Sequence, residues 1–107
     1  MTGRWIDAGA ADELAPGSMA AVRADPALTV AIARFDNGDL AAFSDDCTHE
    51  ECPLSDGWLE GRSVVCYCHN AAFDLETGTV MRGPAEDPLR VFPVCVEDGR
   101  ILVDTRI

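Results

Sequence analysis

The chain has 107 residues, of which 19 are aspartate or glutamate and 8 are arginine with no lysine, so the formal net charge is −11. This acidic balance argues against nucleic-acid binding, because phosphate contacts need clustered cations. The sequence has no apolar run long enough to span a membrane and no signal peptide, so we expect a cytoplasmic protein. The length predicts a single domain over residues 1–107.

Short runs that are typical of β-strands follow one another along the chain, separated by turn residues. The predicted strands are residues 4–7, 18–22, 28–35, 39–43, 58–60, 63–67, 71–75, 79–82, 89–97 and 100–104. One helical turn is predicted at residues 11–15, and hairpin turns at residues 36–38, 61–62 and 98–99. A cysteine- and acid-rich loop over residues 45–57 interrupts the strands. This pattern predicts an all-β, antiparallel sandwich or small barrel.

Both histidines of the chain lie in short motifs that also contain cysteine. The motifs are Cys47-Thr48-His49 and Cys66-Tyr67-Cys68-His69, and sixteen residues separate His49 from Cys66. Each motif lies at the end of a predicted strand, so a sheet can hold the two loops against each other, and two thiolates with two imidazoles suit a metal centre. A structural zinc site uses the same ligands but usually groups them as C-x₂₋₄-C and H-x₃₋₅-H. Buried cysteines without a metal are the other alternative.

The C-x-H and C-x₂-H motifs resemble the Rieske [2Fe–2S] motif. The resemblance continues through residues 54–57, 73–78 and 83–85 to the last hairpin. It implies that Cys47 and Cys66 bind one iron and that His49 and His69 bind the other. It also implies a Rieske-type antiparallel β-sandwich with a small cluster-binding subdomain over residues 44–86.

Two further features follow from the same resemblance. Cys52 and Cys68 occupy positions similar to those of a disulfide in the Rieske proteins of cytochrome bc complexes, which implies a Cys52–Cys68 disulfide; two reduced thiols are the alternative in a reducing cytosol. A cluster-shielding loop is implied for Gly83, Pro84 and Ala85, with a simple turn as the alternative. From their sequence context, Cys95 is expected to be a buried strand residue, and Trp58 to pack in the core or in its hairpin.

Residues near the second motif predict a low reduction potential. Ala71 and Phe73 stand where high-potential relatives have hydroxyl donors, and neither side chain can donate a hydrogen bond. Asn70 stands in place of the usual glycine.

Acidic residues crowd the first motif. We expect them to lower the reduction potential and to steer the protein towards basic docking surfaces, unless they only keep the surface solvated. These residues are Asp45, Asp46, Glu50, Glu51 and Asp56.

The resemblance implies a soluble one-electron carrier, similar to the ferredoxin components of bacterial aromatic-ring dioxygenase systems. Such a protein takes electrons from an NAD(P)H-dependent flavoprotein reductase and delivers them to a terminal oxygenase. We do not expect an enzyme, because the cluster uses both histidines and leaves none for a mononuclear iron site. The alternatives are the small subunit of an assimilatory nitrite reductase and a zinc-stabilised interaction module. We expect a monomer without nucleic-acid or membrane partners.

Overall fold

The computed structural model of the chain describes residues 5–26, 28–45, 53–67, 70–83 and 88–105. These segments form β-strands joined by short turns, together with 3₁₀ turns at Ala11–Glu13 and Leu54–Asp56. The strands are β1 (Trp5–Ala10), β2 (Met19–Asp25), β3 (Leu28–Arg34), β4 (Leu40–Ser44), β5 (Trp58–Glu60), β6 (Ser63–Val65), β7 (Ala72–Asp74), β8 (Val80–Arg82), β9 (Val91–Phe92), β10 (Val94–Glu97) and β11 (Arg100–Asp104). None of the helical turns in these segments is long and apolar enough to cross a membrane.

Within the described segments the strands pair into three antiparallel sheets. The first sheet has the order β1-β11-β10, the second β2-β3-β4-β9 and the third β5-β6-β7-β8. Each strand pairs with its neighbours in antiparallel register. This architecture confirms the predicted all-β antiparallel fold.

The second sheet shares one hydrophobic core with the first sheet and another with the third. Along β3, Val30 and Ile32 pack with residues of the first sheet, whereas Ala31 and Ala33 pack with residues of the third. Because side chains alternate between the faces of a strand, one apolar strand can serve two cores. The core shared with the third sheet contains Ala31, Ala33, Phe35, Ala41, Phe43, Leu54, Val64, Cys66, Ala71, Phe73, Leu75 and Leu89.

The predicted hairpin turns are confirmed. The turn at residues 98–99 shows the backbone conformation that a tight hairpin needs. Glu97 pairs with Arg100 across Asp98 and Gly99, whose φ angles are 52° and 76°. Two consecutive left-handed residues form the type I′ turn, whose twist matches that of the flanking strands. The turn over residues 61–62 likewise joins β5 to β6, and the turn around Gly38 joins β3 to β4.

The predicted single strand over residues 89–97 is wrong, because the chain changes sheets at Pro93. β9 pairs with β4 in the second sheet, whereas β10 pairs with β11 in the first. Proline has no N–H to donate to a ladder, and the Pro93 carbonyl accepts the Asp104 N–H at 3.0 Å. An apolar run shows that a segment is extended, but not that it passes from one sheet to another.

Other element boundaries differ by a few residues. The predicted helical turn at residues 11–15 is a 3₁₀ turn at Ala11–Glu13, and the 3₁₀ turn at Leu54–Asp56 has no counterpart in the prediction. The predicted strand over residues 63–67 ends at Val65. It ends there because the N–H of Cys66 donates to the carbonyl of Ala71 and so closes a turn.

Arg62 connects the second and third sheets at their surface. Its guanidinium lies 4.3 Å from the centre of the Phe35 ring. The same group pairs with Asp39 at 3.2 Å and with Glu76 at 3.0 Å. These ion pairs are largely exposed, so each contributes little to stability on its own. Asp39 and Phe35 lie at the β3–β4 turn, so Arg62 brings the β5–β6 turn into contact with the second sheet there.

Candidate metal centre

Two loops carry the Cys/His motifs, and the structure describes the backbone at the ends of each. We call residues 45–54 the first motif loop and residues 66–71 the second motif loop. Of the predicted site residues, Cys66 and Gly83 are described. The predicted site residues that lie outside the described residues are Cys47, His49, Cys52, Cys68, His69, Pro84 and Ala85.

Cys66 is fully buried at the end of β6. Its N–H donates to the Ala71 carbonyl at 2.8 Å, and its carbonyl accepts the Asn70 N–H at 2.9 Å. The second motif loop is therefore closed by two main-chain hydrogen bonds at its base. The Cys66 side chain packs in the same core cluster as Leu54, Ala71 and Phe73. Cysteine thiolates are the usual ligands of iron–sulfur clusters, and Cys66 lies on a turn that two main-chain hydrogen bonds define.

Asp45 closes the base of the first motif loop. Its carbonyl accepts the Leu54 N–H at 2.6 Å, and its side-chain Oδ1 and Oδ2 accept the N–H and the hydroxyl of Ser55 at 2.7 and 2.9 Å. The chain therefore leaves the scaffold at Asp45 and returns beside it. Asp45 is only 4% exposed. The expectation that this acid steers partners at the surface is wrong, whereas Asp56 is exposed as expected.

The bases of the two motif loops touch each other at Gly57. A Cβ atom added to Gly57 would lie 1.9 Å from the carbonyl oxygen of Val65, the residue before Cys66. Only glycine allows the backbone after the first motif loop to approach the second this closely. Two loops that leave the scaffold side by side fit a group held by two thiolates and two imidazoles, one of each from each loop.

Asn70 takes the conformation that a glycine would otherwise supply. Its φ is 60°, in the left-handed region that asparagine tolerates better than most residues. The Nε of Arg82, at the end of β8, donates to the Asn70 carbonyl at 2.8 Å. Sequence reasoning missed both Arg82 and Ser55, since nothing local in the chain indicates that they bond to the motif loops.

Ala71 and Phe73 are both fully buried beside Cys66 and present no hydroxyl to their surroundings. The expectation for Trp58 is met by one of its two alternatives, and that for Cys95 is met only in part. Trp58 is 42% exposed and its indole N–H donates to Glu60 at 2.8 Å, so it packs in its hairpin and not in the core. Cys95 lies in β10 as expected but is half-buried rather than buried.

Comparison with known proteins gives consistent similarities along the chain. The family model of the Rieske [2Fe-2S] domain matches residues 4–93. The ferredoxin component of the naphthalene 1,2-dioxygenase system of Pseudomonas aeruginosa is 34% identical over 104 residues, which cover 97% of this chain and 98% of that protein.

Solved structures share the fold over nearly the whole chain. A chain from the complex of reduced oxygenase and oxidized ferredoxin in carbazole 1,9a-dioxygenase has a TM-score of 0.89 and 33% identity, covering 96% of this chain and 94% of that one. A Mycobacterium tuberculosis chain, provisionally described as an NADH-dependent nitrite reductase small subunit, has a TM-score of 0.86 and 28% identity, with 96% of each chain covered. The match of the family model to most of the chain, joined to the two Cys/His motifs on adjacent loops, shows that this protein belongs to the Rieske [2Fe–2S] domain family.

Proposed function

We propose that this chain is a soluble one-electron carrier, the ferredoxin component of a multicomponent oxygenase system. It takes electrons from an NAD(P)H-dependent flavoprotein reductase and passes them to a terminal oxygenase that acts on aromatic compounds. The observation that carries the proposal is the 34% identity to a dioxygenase ferredoxin component over nearly the full length of both chains. The chain itself is not an enzyme, because its two histidines are both assigned to the cluster.

Cys47 and Cys66 are the proposed thiolate ligands of one iron, and His49 and His69 are the proposed imidazole ligands of the other. When bound, the [2Fe–2S] cluster accepts and releases one electron. The neutral imidazoles leave the site with less negative charge than four thiolates would. The burial of Cys66 and the hydrogen bonds that close the base of each motif loop support this assignment, because a fixed scaffold limits reorganisation during electron transfer.

The remaining site assignments extend this proposal. Gly83, Pro84 and Ala85 form the proposed cluster-shielding loop. This role is supported by Arg82, which directly precedes the loop and bonds to the second motif loop. A Cys52–Cys68 disulfide would join the two motif loops, whose bases already pack together at Gly57. We propose a cytoplasmic monomer with one domain over residues 1–107 and the cluster-binding part over residues 44–86. Alkylation of cysteines before and after reduction measures whether the disulfide persists in that reducing compartment.

A nitrite reductase small subunit is the second candidate function. It is favoured by the fold similarity to the Mycobacterium tuberculosis chain. The four Cys/His ligand positions favour the ferredoxin, since a small subunit that serves only as scaffold would not need them. A zinc-stabilised module would use the same donors but could not carry an electron.

The cluster is tested on the purified full-length protein by absorbance, iron content and EPR after dithionite reduction. We expect a coloured protein, two irons per chain and a rhombic EPR signal. Cys66→Ala and His69→Ala should lose the signal, whereas Cys95→Ala, the matched control at a half-buried cysteine, should keep it. A colourless protein that contains zinc would overturn the proposal. If Cys66→Ala does not fold, the loss of the EPR signal is tested with His69→Ala alone.

Electron transfer is tested by adding a flavoprotein reductase with NADH and then a terminal oxygenase of an aromatic-ring system. We expect one electron per chain to be accepted and then delivered. The rate should fall as salt increases if exposed acids such as Asp56 steer the encounter. Support of nitrite reduction without support of an oxygenase would favour the second candidate.

A further inference from the structure

We propose that Arg82 is a positioning residue for the second motif loop, acting through the backbone carbonyl of Asn70. The inference rests on the proposed function, because it takes the neighbouring His69 as a cluster ligand. No part of the Cys/His motif includes Arg82, which lies 12 residues beyond Asn70 in the chain.

The first observation is that Arg82 bonds to a residue of the loop whose backbone conformation is constrained. Asn70 is in the left-handed region with φ 60°, and its carbonyl accepts the Arg82 Nε–H at 2.8 Å. A non-glycine residue in this region costs free energy relative to the right-handed region. A charge-assisted hydrogen bond to the carbonyl of that residue offsets part of this cost, since such bonds are stronger than neutral ones.

The second observation is that the irregular register of β8 brings Arg82 to this position. Phe73 pairs with Val80 and Ala72 pairs with Arg82, so the register shifts by one residue and Met81 has no direct partner. An extra residue of this kind bends the strand and redirects the side chains that follow. With a regular ladder, Met81 would lie opposite Ala72 in place of Arg82.

The third observation is that the Arg82 guanidinium makes a second contact, with Glu60 across the third sheet. Arg82 Nη1 lies 4.0 Å from Glu60 Oε1, while Glu60 Oε2 accepts the Trp58 indole N–H at 2.8 Å. Glu60 and Trp58 are on β5, at the opposite edge of the sheet from β8. Arg82 therefore lies between the second motif loop and the far strand. The ion pair with Glu60 is long and half-exposed, so the hydrogen bond to Asn70 is the stronger of its two contacts.

The arrangement assigns Arg82 two separable properties. Its hydrogen bond fixes the backbone that immediately follows His69, and its positive charge lies beside a loop whose cluster becomes more negative on reduction. A lysine keeps the charge but lacks the planar fork that can reach the Asn70 carbonyl and Glu60 together. A glutamine keeps an N–H donor but no charge. The two substitutions therefore separate position from charge.

The test compares Arg82→Ala, Arg82→Lys and Arg82→Gln with Arg23→Ala. Arg23 is the matched control, because its guanidinium also donates to a backbone carbonyl, that of Pro26 at 3.2 Å, but on the second sheet. The readouts are the EPR g-values of the dithionite-reduced protein and the rate of cluster loss in the presence of a chelator. Neither readout needs a reductase or an oxygenase.

We expect Arg82→Ala to shift the g-values and to lose the cluster about fivefold faster, the factor that corresponds to one net hydrogen bond. Arg82→Lys should shift the g-values, Arg82→Gln should stay closer to the wild type because it keeps an N–H donor, and Arg23→Ala should match the wild type. The positioning role is overturned if Arg82→Ala has wild-type g-values and cluster lifetime. It is also overturned if Arg82→Lys matches the wild type while Arg82→Gln does not, because charge alone would then explain the effect.

These outcomes are distinguishable from a failure of the proposed function. A wild-type protein without a [2Fe–2S] EPR signal contradicts the ligand assignment itself. A normal wild-type signal that the Arg82 substitutions leave unchanged contradicts only the role of Arg82. If Arg82→Ala does not fold, as judged by circular dichroism, the lysine and glutamine variants carry the comparison.

Discussion

The first and third sheets are both small and antiparallel, but they are held in different ways. Strands β1 and β11 of the first sheet have six and five residues, and a two-residue type I′ turn joins β10 to β11. The four strands of the third sheet have only three residues each. Short ladders leave more of the geometry to individual contacts, here at Gly57, Asp45 and Arg82. Substitutions at such contacts should therefore change the metal centre, whereas substitutions in the first sheet should change stability alone.

The largest difference is expected between Gly57→Ala and Gly99→Ala. A Cβ at Gly57 would meet the Val65 carbonyl oxygen at 1.9 Å, and that oxygen belongs to the backbone and cannot rotate away, so we expect a loss of about 3 kcal/mol or more. Gly99 has φ 76° and open space around the added Cβ, so only the left-handed conformation is penalised, by about 1 kcal/mol. Denaturant unfolding measures both losses, and EPR should show a perturbed cluster in Gly57→Ala alone. Equal losses of stability in the two variants would contradict the expectation that the close contact between Gly57 and Val65 tolerates no side chain.

A smaller effect is expected at the hydrogen bonds between Asp45 and Ser55. Asp45→Ala removes two bonds to a buried carboxylate and should cost about 2–3 kcal/mol, whereas Ser55→Ala removes only the hydroxyl bond and should cost about 1 kcal/mol. Both variants should bind less iron per chain because the first motif loop is no longer closed. The control is Ser18→Ala, whose hydroxyl donates to the Ala15 carbonyl. A full iron content in Asp45→Ala would show that the loop closes without this side chain.

The difference between local turns and contacts between distant segments explains how much of the structure could be predicted from the sequence. The β-rich runs and the turn residues Asp98 and Gly99 predicted β11 and the hairpin turn that joins it to β10, because their causes are local. The resemblance of the Cys/His motifs to the Rieske motif predicted the family, which the family model confirms, whereas the ligand assignment stays a prediction. The bond between Arg82 and Asn70 could not be predicted, since it depends on a one-residue register shift between β7 and β8. The sheet change at Pro93 was missed for a similar reason: strand propensity does not identify the partner strand.

The absence of hydroxyl donors near Cys66 predicts a low reduction potential, which one substitution should raise. The wild-type midpoint potential is expected towards the low end of the range of roughly −150 to +300 mV, because buried Ala71 and Phe73 offer no donor to the cluster. Ala71→Ser adds a hydroxyl in the core beside Cys66 and should raise the potential by about 40 mV, equivalent to one net hydrogen bond for a one-electron couple. Ala72→Ser is the control, because Ala72 alternates with Phe73 and lies outside that core cluster. Redox titration followed by EPR measures the shift, and a wild-type value well above zero would contradict the expectation.

The smallest effect is expected in the first sheet, at the exposed pair of Asp7 and Arg100. The hydrogen bonds donated by the Arg100 guanidinium, and secondarily by the Gly9 N–H, hold the pKa of Asp7 below its ordinary value of 3.8. Because the folded-state pKa is lowered, the stabilisation is complete above pH 3.8 and is lost as the pH falls through the folded value.

Arg100→Ala removes the largest cause of that lowered pKa. Thermal unfolding between pH 2 and 6 should therefore show a shallower loss of stability with acid in the variant than in the wild type. Added salt should reduce the difference, since the pair is solvent-exposed. The EPR spectrum at neutral pH should be identical in the two proteins. A changed spectrum would mean that the first sheet also determines the geometry of the metal centre, and the distinction between the two sheets would then fail.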